Sequence, residues 1–285
     1  MPNRKAFLIL CLFAFRAFAA AAPTAFPPIE GWRTAILNGD RDALARNYGT
    51  QALVQAGAKH STLDDELAFW AGLKANGLTA LNPKILQVSE MDDNNKSLLL
   101  RVTAQMNGAP VVAAMRLVWH ESPEGWKIIA SARSPQFQPD AHRTLPEPPI
   151  PNTQLYPAPE QAQPEIDEAL AQAKKEHKRV ILVFGGNWCY DCHVLDTTFH
   201  SKEFAELVDS HFIVVHVNIG DDGKANTDLV KRLNVVLDKG VPTLAVLDAD
   251  GTVLYTQKEG EFEDSVKIGP TEVRAFLEKW KPQTK

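Results

Sequence analysis

Two cysteines separated by two residues directly follow an apolar segment in the second half of the chain. The segment Val180–Phe184 has only branched or large apolar side chains, which is typical of a strand buried on both faces. Cys189 and Cys192 come next, and a helix is predicted to start there and run through Val194 and Leu195. A strand that enters a helix through a Cys-x-x-Cys turn constrains this half to an α/β arrangement with both sulfurs at the helix start.

This position favours redox chemistry at Cys189. Unpaired amide groups and the helix dipole at a helix N-terminus stabilise an anion, so they lower the pKa of the thiol and supply the nucleophilic thiolate. Cys192 lies one turn further on the same side, where it can attack a mixed disulfide and release the partner. Trp188 is expected to shield Cys189 with a flat apolar surface. We therefore predict that Cys189 and Cys192 are the catalytic pair.

The N-terminus has the pattern of a secretory signal peptide over residues 1–22. Basic residues precede the apolar run Phe7–Phe15, and Ala17–Ala19 fits a small-residue cleavage site. The run is too short to cross a membrane, so we expect no stable membrane insertion after its removal. Removal also takes away Cys11 and leaves only the Cys-x-x-Cys pair. The sequence therefore predicts a periplasmic or secreted protein whose two thiols serve redox chemistry rather than a structural disulfide framework.

A proline-rich stretch divides the chain of 285 residues. Nine of the 19 prolines fall within residues 135–164, a composition that favours an extended, semi-rigid spacer. We place the first domain at 24–136, the linker at 137–159 and the second domain at 160–285. The formal net charge of −5 does not favour a nucleic-acid partner, which would call for a basic surface.

The hydrophobic pattern predicts a different element order in each domain. The first domain has helices followed by a meander of strands, which indicates an α+β fold. Its predicted elements are helices at Ile29–Leu37 and Asp40–Tyr48, a helix capped by Thr62 with Asp65, and strands at Lys84–Glu90, Ser97–Met106, Pro110–His120 and Trp126–Ala132, with a hairpin turn at Asn107-Gly108.

The second domain alternates in the order α-β-α-β-α-β-β-α, which indicates an α/β fold. Beyond the cysteine motif, its predicted elements are a helix opened by Pro164, a helix capped by Ser201, strand Phe212–Val217, helix Thr227–Leu233, strands Thr243–Leu247 and Thr252–Thr256, and a helix from Pro270 to Trp280.

Two separated motifs of the second domain resemble the thioredoxin superfamily. The run from Val180 to Cys192 is similar to the family's strand, Trp-Cys-x-x-Cys and helix, and Gly240–Thr243 is similar to its second landmark, a cis-proline facing the cysteines. The resemblance covers about residues 160–285 and implies a thioredoxin-like fold. It also implies that Pro242 is cis and that Val241 offers backbone hydrogen bonds to a substrate chain. Trp188, Val241 and Pro242 are the predicted substrate-binding residues.

The sequence departs from the thioredoxin pattern at three places. Thioredoxins proper carry a buried acid six residues before the first cysteine, where this chain has Val183. Tyr190 and Asp191 stand between the cysteines, and Glu259–Ile268 has the look of an insertion. A carboxylate beside the thiols should raise the thiol pKa by charge repulsion, which favours a reducing rather than an oxidising domain.

The first domain resembles the SnoaL-like (nuclear-transport-factor-two-like) family. Gly39–Leu44 is similar to a helix start of that family, and Glu124–Ser131 to its late strand. The resemblance implies a cone-like, curved antiparallel sheet with helices, and a domain that binds a small molecule, catalyses or dimerises. We expect a homodimer through this domain and predict that Trp70 and Trp119 are core residues.

Three other interpretations of the cysteine motif remain open at this point. Cys189-x-x-Cys192-His193 matches a c-type haem attachment pattern, and His193 and His200 could join the cysteines around zinc, although both histidines are expected on the exposed side of the helix. The pair could also be a structural disulfide in a non-catalytic ligand-binding or interaction protein built on a thioredoxin-like platform. We expect no metal and no cofactor beyond the redox-active Cys189–Cys192 disulfide. The function favoured is an exported thiol–disulfide oxidoreductase that acts on protein thiols and disulfides.

Overall fold

A computed structural model of the chain describes residues 25–56, 59–134 and 147–283. The predicted signal peptide and residues 137–146 of the predicted linker lie outside these ranges. The elements of the first domain are α1 (Ile29–Asn38), α2 (Arg41–Ala45), β1 (Tyr48–Ala56), β2 (Lys59–Ser61), α3 (Leu63–Gly72), β3 (Leu78–Glu90), β4 (Asn95–Met106), β5 (Ala109–Ser122) and β6 (Gly125–Arg133).

These strands form a six-stranded sheet in the order β2-β1-β6-β5-β4-β3. All neighbours are antiparallel except β1 and β6, which run parallel. Asn107 and Gly108 both have positive φ, 51° and 84°, at the β4–β5 turn, as the sequence predicts. The α+β order of the domain is thus confirmed, with one parallel pair in a sheet expected to be entirely antiparallel.

The space between the helices and this sheet is filled by large side chains. Trp32, Trp70 and Trp119 are completely buried there, which confirms the core assignment of Trp70 and Trp119. The buried carboxylate of Glu66 accepts hydrogen bonds from the Trp70 indole at 2.7 Å and from Arg133 at 2.9 Å. The interior of this domain is therefore a packed core with a fully partnered buried charge.

The helix predicted over Asp40–Tyr48 is too long. Asp40 caps α2 by accepting the amide of Ala43 at 2.9 Å, but α2 ends at Ala45 and Tyr48 opens β1. The register of β1 against β6 shifts between Tyr48 and Leu53, so this strand bulges and lacks regular alternation. That irregularity concealed β1, and its partner β2, from the sequence pattern. The capping box of Thr62 and Asp65 on α3 is confirmed.

The second domain begins with a short 3₁₀ turn at Pro159–Gln161 and then alternates helices and strands. Its elements are α4 (Ala162–Glu176), β7 (Arg179–Gly185), α5 (Tyr190–Phe199), α6 (Ala205–His211), β8 (Phe212–Asn218), α7 (Thr227–Arg232), β9 (Thr243–Leu247), β10 (Val253–Thr256) and α8 (Pro270–Trp280). The observed order is α-β-α-α-β-α-β-β-α, which differs from the predicted α-β-α-β-α-β-β-α because α5 and α6 are separate helices, and α4 starts two residues before Pro164.

A mixed four-stranded sheet in the order β10-β9-β7-β8 forms the centre of this domain. β7 is parallel to β8 and antiparallel to β9. Alternate residues of β7 enter two different cores, with Leu182 facing the core that contains α4 and Val183 facing the core that contains α8. The strand is therefore buried on both faces, and its carboxyl end delivers the chain to the cysteines. Ser201 does not cap α6, which begins at Ala205 without a side-chain cap.

The described part of the predicted linker packs against the second domain. Leu155 and Tyr156 are buried in the same core as α4 and the two cysteines. Pro148 and Pro149 are buried as well. Residues 147–158 thus form a strap that is attached to the second domain at Leu155 and Tyr156 and contacts Arg116 of the first domain through Glu147, where the sequence predicted a spacer. None of the helices in the described ranges combines the length and apolarity needed to cross a membrane.

Candidate active site

Cys189 is the N-cap of α5, directly after the loop that leaves β7. Its Sγ accepts the amide N–H of Cys192 at 3.1 Å, the place that a capping oxygen normally takes. The two cysteines form a disulfide, with their Cα atoms 5.3 Å apart. A thiolate on Cys189 would therefore receive an amide hydrogen bond and the positive end of the helix dipole, and both effects lower a thiol pKa.

The second landmark lies against this sulfur. The Val241–Pro242 peptide bond is cis, as predicted, and the Val241 carbonyl oxygen is 3.7 Å from Cys189 Sγ. Gln257 holds the loop in place, because its amide donates to the Pro242 carbonyl at 3.3 Å and its oxygen accepts the Leu244 N–H at 3.3 Å. Cys189 and Val241, which are 52 positions apart in the sequence, are thus neighbours in the structure.

The disulfide is covered in this state. Cys189 and Cys192 are completely buried and Val241 is nearly so, whereas Trp188 is 37% exposed and donates its indole N–H to the Gly220 carbonyl at 3.2 Å. Trp188 therefore lies at the surface beside the cysteines. That it shields Cys189 stays a prediction. The disulfide is thus screened from solvent in this structure.

A cavity of about 450 Å³ lies beside Trp188, and both domains line it. The second domain contributes Asn187, Trp188 and Asp221, and the first domain contributes residues of β1, of the end of β2 and of the start of α3. Those residues are Thr50, Gln51, Ala52, Ser61, Thr62 and Leu63. The first domain therefore forms one wall of the space next to the cysteine loop.

The two residues between the cysteines face away from solvent. Tyr190 is buried among Leu53, Val118 and Ala130 of the first domain's sheet. Asp191 is buried too, and its carboxylate accepts the backbone N–H of Val266 at 3.2 Å. Burial is the main reason that the pKa of Asp191 rises to about 6. The Tyr-Asp pair thus ties the cysteine turn to the first domain and to the loop that the sequence identified as an insertion.

His193 does not lie on the exposed side of α5, contrary to the prediction, whereas His200 does. The ring of His193 is buried, with Nδ1 2.9 Å from the Cys189 carbonyl oxygen and Nε2 3.1 Å from the Asn152 carbonyl oxygen. Both ring nitrogens face hydrogen-bond acceptors, and the cysteines are bonded to each other. This arrangement does not fit the haem interpretation, which needs the cysteine sulfurs for thioether bonds and the histidine nitrogen as an iron ligand, or the zinc interpretation, which needs these atoms as ligands.

Among the residues that the structure describes, no group of three or more His, Cys, Asp or Glu side chains is arranged to hold a metal ion.

Sequence reasoning missed Tyr156, which comes from the proline-rich stretch. Its backbone N–H donates to Asn187 Oδ1 and its carbonyl accepts from Asn187 Nδ2, both at 2.9 Å. Asn187 belongs to the loop that carries the cysteines, so the strap and the loop are fastened together. The apolar pair Leu155-Tyr156 among prolines and polar residues is the only signal that could have marked this segment as packed.

Comparison with known proteins identifies the second domain. Residues 161–249 match the thioredoxin-like family model, which confirms the resemblance drawn from the cysteine and proline motifs. The thiol:disulfide interchange protein DsbD of Vibrio cholerae is 33% identical over 88 residues, which are 30% of this chain and 14% of that protein. The chain thus spans only about a seventh of the length of this relative.

Two solved structures are similar to separate parts of the chain. The disulphide isomerase from Xylella fastidiosa Temecula1 is 32% identical and covers 44% of this chain and 95% of its own, with a TM-score of 0.39. An NTF-2 like protein of unknown function from Shewanella oneidensis MR-1 is 18% identical and covers 38% of this chain and 93% of its own, with a TM-score of 0.34.

Proposed function

We propose that this chain, whose residues 161–249 are thioredoxin-like, is a thiol–disulfide oxidoreductase that acts on protein partners through Cys189 and Cys192. One observation carries the proposal: Cys189 caps the N-terminus of α5, is bonded to Cys192 and lies against the loop of cis Pro242. A pair separated by two residues closes a very short loop, so it stabilises the fold little by restricting the unfolded chain. Exchange chemistry accounts for its position better than a structural role does.

The reduced site would act in two steps. The Cys189 thiolate attacks one sulfur of a partner disulfide, the partner's S–S bond breaks, and its other sulfur leaves as a thiolate. The Cys192 thiolate then attacks Cys189 Sγ, the mixed disulfide breaks, and the second partner sulfur leaves. The partner gains two electrons and the Cys189–Cys192 disulfide forms. The structure corresponds to this oxidised end state.

Trp188, Val241 and Pro242 are proposed to hold the partner chain. The Val241 carbonyl oxygen is 3.7 Å from Cys189 Sγ, so an extended partner segment bonded to this loop would have its sulfur in reach. The cavity beside Trp188 supports a part for the first domain in partner choice, because its wall includes residues of β1 and α3. Dimerisation through the first domain stays a prediction.

The proposed direction is reduction of the partner. Asp191 stands between the two cysteines in the sequence, and a buried negative charge on this turn disfavours the thiolate form of the reduced site. Destabilising the reduced form makes the domain a better electron donor. The short apolar run at the N-terminus supports export to the periplasm or the medium, where such a donor would meet protein disulfides.

Insulin reduction and disulfide isomerisation by the full chain test the proposal, with Cys189→Ser and Cys192→Ser as variants. We expect the wild type to accelerate both reactions and Cys189→Ser to be inactive. Cys192→Ser should accumulate a mixed disulfide between Cys189 and the partner, visible by mass spectrometry, because nothing resolves it. A wild type as inert as Cys189→Ser, with a disulfide that resists millimolar thiol, would refute the proposal.

A further inference from the structure

A buried hydroxyl without a partner lies in the same core as the two cysteines. Tyr156 is almost completely buried, and its Oη forms no hydrogen bond with any of the residues described. An unpartnered buried hydroxyl is destabilising, so native structures keep few of them. The cost is offset if the hydroxyl finds its partner in another state of the protein.

Cys192 Sγ lies close to this hydroxyl. A Cβ on Gly185 would lie 2.5 Å from Cys192 Sγ and 2.6 Å from Tyr156 Oη, so the sulfur and the hydroxyl share the space that glycine leaves empty. The two atoms therefore lie within about 5 Å of each other. Any other residue at position 185 would place a side chain there. The chain therefore brings a hydroxyl next to the second cysteine at the end of β7.

Tyr156 is held there by more than packing. The two hydrogen bonds between its backbone and the Asn187 side chain fix it to the loop that precedes Cys189. The ring of His216 contacts it edge-on, with centroids 5.0 Å apart. Burial lowers the pKa of His216 to about 4, so this neighbour is neutral at pH 7. Burial, together with the charge of Asp196, raises the pKa of Tyr156 well above its usual value. The hydroxyl consequently keeps its proton and can donate a hydrogen bond to an anion.

We propose that the Tyr156 hydroxyl donates a hydrogen bond to the Cys192 thiolate whenever the Cys189–Cys192 disulfide is open. The inference rests on the proposed function and adds a catalytic residue to it. When a partner thiolate attacks Cys189 Sγ, the Cys189–Cys192 bond breaks and its electron pair stays on Cys192 Sγ, which leaves as a thiolate. Tyr156 stabilises this leaving group without giving up its proton. In the opposite direction, it keeps Cys192 ionised for the attack on the mixed disulfide.

The experiment compares wild type with Tyr156→Phe, which keeps the ring and removes the hydroxyl. Tyr255→Phe is the control, because it removes a tyrosine hydroxyl that donates to Glu261 at 3.0 Å, elsewhere in the same domain. The pKa of Cys192 is measured from the pH dependence of its alkylation in the Cys189→Ser background, and the dithiol–disulfide equilibrium is measured against glutathione. Tyr156→Phe should raise the Cys192 pKa and shift the equilibrium about tenfold or more toward the disulfide, as for loss of a hydrogen bond to a charged group.

The outcomes separate this inference from the proposed function. Equal Cys192 pKa values and equal equilibria in wild type and Tyr156→Phe would overturn the role of Tyr156, while the wild type still exchanged disulfides. A wild type that does not equilibrate with glutathione would overturn the proposed function itself. Should Tyr156→Phe fail to fold, the tyrosine Raman bands of the oxidised and reduced wild type decide the question. Raman bands that change on reduction to those of a tyrosine hydroxyl donating a strong hydrogen bond support the proposal. Bands that stay unchanged refute it.

Discussion

Cys189 combines three roles that are normally spread over several residues. It caps α5, closes the disulfide and faces the Val241 carbonyl. A cap of this kind contributes about 1 kcal/mol to a helix when it is an oxygen, and an anionic sulfur gains further from the helix dipole. The helix start and the thiolate therefore stabilise each other.

The carboxyl group of Asp191 should make the stability of the protein depend on pH. Its pKa is about 6 in the folded state, mainly because it is buried, and near 3.8 when unfolded. Between these values the folded state keeps a proton that the unfolded state has lost, so the free energy of unfolding falls as pH rises from about 4 to 6. Asp191→Asn should remove up to about 1.4 kcal/mol per pH unit of this slope, measured by urea unfolding across the window.

Asp250→Asn is the matched control for this measurement. Asp250 lies at the β9–β10 turn, and hydrogen bonds from Thr252 lower its pKa instead of raising it. The slope between pH 4 and 6 should survive in this variant. Asp196 has a raised pKa as well and keeps its own contribution in both variants. An unchanged slope in Asp191→Asn would show that the carboxyl group is not desolvated.

The residues of the site could be predicted where a local motif defines them. Cys189, Cys192 and Pro242 belong to short motifs with a fixed chemical meaning, and the structure places all three together. Tyr156 and His193 could not be predicted, because their positions depend on how the strap packs against α5. The apolar pair Leu155-Tyr156 indicates that the strap packs, but no nearby pattern indicates the surface that it packs against.

At the scale of elements, prediction succeeded where periodicity was regular. β9 and α8 have the predicted bounds, Thr243–Leu247 and Pro270–Trp280, because a short apolar run and an amphipathic stretch opened by proline are unambiguous. β1 was missed because its bulge interrupts the alternation and its partner β6 lies about eighty residues away. The Ser201 cap failed because the chain makes a turn there before α6 begins at Ala205.

The two domains contact each other at the turn that carries Cys189 and Cys192. Tyr190 inserts among Leu53, Val118 and Ala130 of the first domain, and Arg116 lies 3.6 Å from Glu147 of the strap. The cysteine motif alone does not predict this contact of Tyr190, because the two contacting surfaces are encoded in different halves of the chain. The contact between the domains therefore lies directly beside the cysteines.

Tyr190→Ala should uncouple the unfolding of the two domains. Removing a buried aromatic side chain costs about 3–5 kcal/mol, and here the loss falls on the contact between the domains. Calorimetry should show one transition in the wild type separating into two in the variant. Tyr255→Ala is the control, because Tyr255 packs on Phe276 and Trp280 within the second domain. Separate transitions already present in the wild type would contradict this coupling.

The redox equilibrium of the full chain tests the central claim most directly. The protein is incubated over a series of reduced-to-oxidised glutathione ratios, and the Cys189–Cys192 disulfide is quantified by mass after alkylation. The proposed reducing function predicts a single two-electron transition close to the thioredoxin value of about −270 mV rather than the value of about −120 mV typical of a strong oxidant. A disulfide that stays intact at every glutathione ratio would contradict the claim that this pair exchanges electrons with protein thiols.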